Sequence, residues 1–196
     1  MNFFQAIILG IVQALTEYLP VSSSAHIRII GDLMLGADPG AAFTAIIQIG
    51  TELAVILYFR RDIINILSHW FGCLFGKNGP DWRARMGRGD KYATLGWNVI
   101  VGSIPIIILG FTLQNIIETS LRNLWITVTV LFLFGLLLWI VDARSRQIKT
   151  MDDMNYRDAF LFGLGQSMAL IPGVSRSGGT ITVGRALGYT RESAVR

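Results

Sequence analysis

The chain has 196 residues, 52% of them hydrophobic and 15% charged, and its 17 Lys and Arg against 13 Asp and Glu give a net charge of +4. Ordinary soluble domains carry roughly 25% charged residues, so a composition this apolar, with mean hydropathy +0.52, excludes a soluble globular protein and indicates an integral membrane one. The basic residues lie in short segments between apolar runs, which argues against a nucleic-acid-binding face, and the one cysteine, Cys73, permits neither an internal disulfide nor a cysteine-based metal site.

The N-terminal MNFFQAIILGIVQALTEYLPVSSSAH has no Lys or Arg before its apolar stretch, and Gln13, Thr16 and Glu17 interrupt its end. It reads as part of the mature chain rather than as a signal peptide. Phe3–Leu15 makes roughly 20 Å of helix against a hydrocarbon thickness of about 30 Å, too short to cross. Pro20 and the run Ser22-Ser23-Ser24 then break the helix before apolar sequence resumes at Ile27. A helix broken at membrane depth is tolerated only where it faces protein or a watery cavity. Ala41–Phe59, Thr94–Leu113 and Leu124–Val141 are each long enough to span, whereas Ile63–Phe75 is shorter, flanked by charge, and reads as interfacial or tilted. GKNGPDWRARMGRGDK reads as a solvated loop, and His69 in LSHWFG as an interfacial residue among aromatics. Most Lys and Arg fall in Arg60–Lys91 and Asp142–Arg157, which places these segments on the cytoplasmic side and the Leu35–Gly40 and Gln114–Arg122 turns on the outer side.

Asp158–Ile171, PGVSRSGG and Thr180–Tyr189 repeat the broken pattern of the N-terminus. Sliding the chain on itself by 153 residues places Ala6 on Ala159, Gly10 on Gly163, Gln13 on Gln166, Val21 on Val174, Ser22 on Ser175, Ser24 on Ser177 and Gly31 on Gly184. An odd number of crossings between the copies inverts one relative to the other, and matched broken helices in two halves point to the ligand site. The expected fold is all-α, a polytopic membrane helix bundle with an inverted repeat and two broken, re-entrant hairpins. One transmembrane domain over 1–196 divides into the first signature loop and first span (3–59), a basic cytoplasmic region (60–93), two spans (94–141) and the second signature loop (158–196).

Gln13 and Glu17, four residues apart on one helix, project from the same face just before the first break. Ser23 stands three residues before His26, so a helical second arm makes them neighbours, as an activated nucleophile requires. In the second loop Arg176 stands among Ser175, Ser177, Gly178, Gly179 and Thr180, after the helix-breaking Pro172 and Gly173. Glycines let backbone N–H groups approach a ligand, hydroxyls add donors, and the guanidinium fork matches phosphate oxygens, so the loop describes an oxyanion cradle. The plainer readings are serines that serve helix packing, Glu17 and Arg176 snorkelling to the interface, and His26 as a buried hydrogen-bonder. Glu52, four residues after Gln48 in FTAIIQIGTELAVILYF, either lines the same cavity or packs toward the interface.

QALTEYLPVSSSAH at 13–26 and PGVSRSGGT at 172–180 resemble the two signature loops of the undecaprenyl-pyrophosphate phosphatases, the bacitracin-resistance type of membrane phosphatase. The resemblance continues through IIQIGTELAVILYF and DDMNYRDAF. It implies hydrolysis of undecaprenyl pyrophosphate to undecaprenyl phosphate and inorganic phosphate, outside the bacterial cytoplasmic (inner) membrane, renewing the lipid carrier for cell-wall synthesis. On this resemblance Ser23 is the nucleophile and His26 its acid/base partner. Arg176 clamps the pyrophosphate, with Ser175, Ser177, Thr180, Gly173 and Gly178 around it, and Gln13 and Glu17 hold or act through a divalent cation, Mg²⁺ or Ca²⁺. Whether Ser23 attacks directly or Glu17 activates water stays open. Ala25 stands where many members have Gly, and members run on past TRESAVR, so the helices that complete the second repeat are expected to be missing from this sequence. The implied partners are the polyprenyl pyrophosphate and membrane lipids, with no nucleic acid and a homodimer left open. A carrier that flips a lipid phosphate between leaflets could use the same cradle without cleavage, but His26 beside Ser23 serves an enzyme better.

Overall fold

The computed structural model describes residues 1–119 and 123–196, so the turn expected at Gln114–Arg122 lies outside the described residues from Ser120 onward. Among the described residues the chain is helical, with no β-strand. α1 (Phe3–Thr16) starts at a capping box, in which Asn2 Oδ1 accepts from Gln5 N–H and Gln5 Oε1 accepts from Asn2 N–H. After the turn at Pro20, α2 (Ser23–Leu35) begins behind Ser22, which is held at φ 61°, and ends at Gly36 in the left-handed region.

α3 (Ala41–Tyr58) runs into α4 (Arg60–Leu74) through a bend of 71° at Phe59. The span expected over 41–59 and the interfacial or tilted helix expected over 63–75 thus correspond to α3 and α4, with α4 tilted by 71° against α3. The charges of Arg60, Arg61 and Asp62 mark the bend, and Arg60 donates back to the Leu57 carbonyl at the end of α3 (2.8 Å). The segment expected as a solvated loop contains a short helix, α5 (Trp82–Arg85), and ends in a polar clasp. Asp90 accepts from His69 Nδ1 (2.8 Å), from Ala93 N–H (3.0 Å) and from Asn78 Nδ2 (3.5 Å). His69 thus ties α4 to the segment just before Lys91 by a hydrogen bond, while its ring lies against that of Tyr92, with centroids 5.1 Å apart, as expected of a residue among aromatics.

α6 (Lys91–Thr119) and α7 (Leu124–Arg144) are long and apolar enough to cross a membrane. Counting the bent pair as one crossing, three crossings separate the two hairpins, the odd number that inverts the second. That second hairpin is α8 (Tyr156–Ser167), a 3₁₀ turn over Met168–Leu170, the break at Pro172–Ser175, and α9 (Arg176–Ala186), followed by the short α10 (Arg191–Val195).

The burial pattern is that of a membrane protein: Phe3, Leu33, Phe111, Trp125 and Phe132 lie uncovered, while the interior holds small and polar residues such as Ala25, Ala159, Gln13, Thr127 and Ser167. Glycine sets the closest approaches. A Cβ on Gly163 would fall 2.1 Å from the Gly102 carbonyl oxygen, so α8 and α6 meet backbone to backbone, and one on Gly179 would fall 2.2 Å from the Gly165 carbonyl, which brings α9 onto α8. Arg185, wholly buried, locks α9 to α7 by donating to Asp142 Oδ1 (2.5 Å) and to the Tyr189 carbonyl (2.6 Å). A buried guanidinium is tolerable only with this degree of pairing.

Candidate active site

The two breaks have the same local geometry. Ser22 and Ser175, 153 positions apart, are both non-glycine residues at positive φ (61° and 66°), a conformation that costs energy and clusters at functional sites. Each is followed by the first residue of a helix, Ser23 in one copy and Arg176 in the other. The Oγ atoms of Ser22 and Ser24 lie 3.1 Å apart, and those of Ser175 and Ser177 lie 3.0 Å apart. Matched strain, matched serine pairs and matched helix starts make the repeat structural as well as compositional.

The breaks also touch. Ser177 Oγ donates to the Leu19 carbonyl (3.0 Å), and Arg176 NH2 stands 3.8 Å from Glu17 Oε1. Glu17 Oε2 accepts from Gln13 Nε2 (2.9 Å) and, in a very short contact, from the Ser23 hydroxyl. Residues from the two ends of the chain therefore form one cluster: Gln13, Glu17 and Ser23 from the first hairpin, Arg176 from the second. The N-termini of α2 and α9 bring their partial positive charge to the same region. Ser22 provides α2 with no side-chain cap, leaving its first-turn N–H groups for a ligand.

The remaining candidates have quieter positions. His26 Nδ1 donates to the Ser22 carbonyl (2.9 Å), and among the described residues no hydrogen bond joins it to Ser23, whose hydroxyl goes to Glu17 instead. Ser175 Oγ caps α9 by accepting from Gly178 N–H (3.2 Å), and Thr180 donates back to the Arg176 and Ser177 carbonyls (both 3.1 Å). Gly173 at φ 105° lies against α7, where a Cβ would meet the Thr127 carbonyl at 2.5 Å, so its place is in packing. Gly178 lies near Pro20 of the other loop, 3.8 Å from its added Cβ.

Residues 6–196 match the family model for bacitracin resistance protein BacA. The chain belongs to the BacA family. Along its whole length it is 89% identical to a protein of Bifidobacterium longum subsp. infantis and 72% identical to one of Bifidobacterium adolescentis, and it spans 67% of each relative's length. A relative from Paenarthrobacter aurescens is 54% identical and 68% covered. All three carry the name undecaprenyl-diphosphatase.

The BacA-family signature loops do not contain every charged group at the cluster. Glu52 on α3 binds Arg176, its Oε1 accepting from NH1 at 2.8 Å, and Gln48 Nε2 approaches the same oxygen at 3.4 Å. A carboxylate inside an apolar helix was the only signal of this in the sequence; its partner stands 124 residues away. Two carboxylates facing one guanidinium leave the cluster one negative charge in excess. That excess would repel a diphosphate, and a divalent cation held there would offset it. Gln13 turns its Nε2 to the Glu17 carboxylate, and its Oε1, a hard oxygen donor, is buried without a hydrogen-bond partner among the described residues. Among the described residues no group of three or more His, Cys, Asp and Glu forms a complete cage. The donors fit a cation such as Mg²⁺, which takes one or two carboxylates and completes its shell with water and phosphate oxygens.

Proposed function

We propose that this chain carries the active site of an undecaprenyl-diphosphatase, a multi-pass enzyme of the bacterial cytoplasmic membrane that removes the terminal phosphate of undecaprenyl diphosphate. The contact that supports this most directly is the meeting of Ser23, Glu17 and Arg176 across the two hairpins. Renewal of the monophosphate carrier supports cell-wall synthesis and opposes bacitracin, in keeping with the family's name. The site opens toward the outer side, because the basic segments between helices face the cytoplasm.

Ser23 Oγ attacks the terminal phosphorus while its proton passes to Glu17 Oε2, the acceptor it already contacts. The P–O bond to the bridging oxygen breaks and undecaprenyl phosphate leaves with the proton that Glu17 took. The regenerated Glu17 carboxylate then deprotonates a water that attacks the phosphoryl group, the Ser23 Oγ–P bond breaks as Glu17 returns that proton to Ser23, and inorganic phosphate leaves. Arg176 and the first-turn N–H groups of α2 hold the equatorial oxygens, the principal task in phosphoryl transfer. His26, fixed through Nδ1 to Ser22, offers Nε2 for proton exchange with the departing oxygen. Gln13 and Glu17 would hold a divalent cation, Mg²⁺ or Ca²⁺, which when bound supplies charge against the diphosphate.

Phosphate release from undecaprenyl diphosphate in detergent, with and without chelator, tests the reading. The expected result is chelator-sensitive release, abolished in Ser23→Ala, with acid-stable phosphate on Ser23 after rapid quenching of the wild type. Transbilayer movement of the lipid without phosphate release would instead establish a carrier.

A further inference from the structure

We propose that Glu52 is the positioning residue for Arg176, a role that rests on the hydrolytic reading above. Glu52 lies within the apolar sequence of α3, beside Leu53 and Ala54, where an ionised carboxylate is costly and marks function by default. Its Oε1 takes Arg176 NH1 at 2.8 Å, with Gln48 Nε2, one turn earlier, at 3.4 Å from the same oxygen. The helix that carries it is itself anchored to the first break, since Tyr18 O–H donates to the Thr51 carbonyl at 2.6 Å. Glu52 is therefore fixed relative to Glu17 and Ser23 while it grips an arginine from the opposite hairpin.

An arginine side chain has large rotamer freedom, and its fork is useful only when its plane is set. With NH1 held by Glu52, NH2 is left on the side of Glu17, at 3.8 Å. The phosphate oxygens in this scheme arrive on that side, above Ser23. Glu52 meets the reaction only through Arg176, and it contributes by sparing the arginine a search for its orientation as charge develops.

A double-mutant cycle decides the matter. Glu52→Ala should lower kcat for undecaprenyl diphosphate about 10- to 100-fold, the scale of a 1 Å misplacement, with a smaller change in KM. Glu52→Gln, which keeps an acceptor for NH1, should recover part of the loss. In an Arg176→Ala background, Glu52→Ala should have no further effect on kcat. An equal loss in both backgrounds, or wild-type kcat in Glu52→Ala, overturns the proposal. Site-resolved labelling of Arg176 by phenylglyoxal reads the same pairing without turnover. The arginine should react several-fold faster in folded Glu52→Ala than in the wild type, and equal rates also overturn it. A wild type that releases no phosphate defeats the hydrolytic reading, while the labelling still decides the pairing.

Discussion

Replacing Arg176 by Ala separates catalysis from stability at this site. The guanidinium is 44% exposed and its partner Glu52 is 48% exposed, so neither side chain is packed into the protein interior, and the variant should stay folded in detergent. The loss falls in the transition state. Two N–H groups meeting phosphate oxygens make charge-assisted bonds of about 1.5–3 kcal/mol each, a combined loss of about 3–6 kcal/mol. At roughly 1.4 kcal/mol per factor of ten, kcat/KM falls about a hundred- to twenty-thousandfold. Arg176→Lys keeps the charge but loses the fork, so it should retain substrate binding better than turnover. The assay is initial-rate phosphate release at several lipid diphosphate concentrations, with thermal unfolding in the same detergent as the control for folding. A folded Arg176→Ala enzyme working at near the wild-type rate would refute the clamp, and the arginine would then be an interfacial anchor.

Glu17→Gln keeps the size of the side chain but removes the acceptor for the Ser23 proton; turnover should fall about 10²–10⁴-fold, and a variant of near-normal rate would remove Glu17 as the base. Gly163→Ala puts a methyl group 2.1 Å from the Gly102 carbonyl oxygen, so α6 and α8 must part, at a cost of about 1–3 kcal/mol; an unchanged unfolding temperature in detergent would mean that the helices do not pack as described. The Asp90 clasp predicts a pH dependence of stability outside the membrane spans. Burial alone would raise the Asp90 pKa, but hydrogen bonds from His69, Ala93 N–H and Asn78 outweigh it and hold the carboxyl below its ordinary value of 3.8. A depressed acid stabilises the fold above its unfolded pKa, and the contribution disappears as pH falls through the lower folded value. The wild type should therefore lose stability below about pH 4 more steeply than Asp90→Asn, and identical pH profiles would show that the clasp does not contribute.

The two breaks were legible in the sequence because each rests on local chemistry: Pro20 and Pro172 interrupt the helices, and the serine pairs recur at the same offset. The division of labour within the site was less so. The spacing of Ser23 and His26 made them look like a nucleophile and its base, yet both sit in the first turn of α2 and their side chains take different partners. Ser23 reaches back across the break to Glu17, and His26 turns to the Ser22 carbonyl. Helical spacing gives the face a residue shares, not which neighbour on the far side of a turn captures its proton. Glu52 was left open, and the Asp90 partner of His69 was not foreseen, for the related reason that these partners come from elsewhere in the chain.

The aligned glycines carry that argument furthest. Gly10 and Gly163 occupy the same place in the two copies, and the sequence treats them alike. In the fold Gly163 is pressed against the backbone of Gly102, whereas nothing lies within 4 Å of a Cβ built on Gly10. An internal repeat thus constrains what each copy can build on its own: the break, the strained serine, the helix start behind it. It does not determine what each copy packs against. The chemical asymmetry follows from that freedom, since the same first helical position carries a hydroxyl in one hairpin and a guanidinium in the other. A site for phosphoryl transfer needs both a nucleophile and a charge clamp, and two copies brought face to face can hold one each.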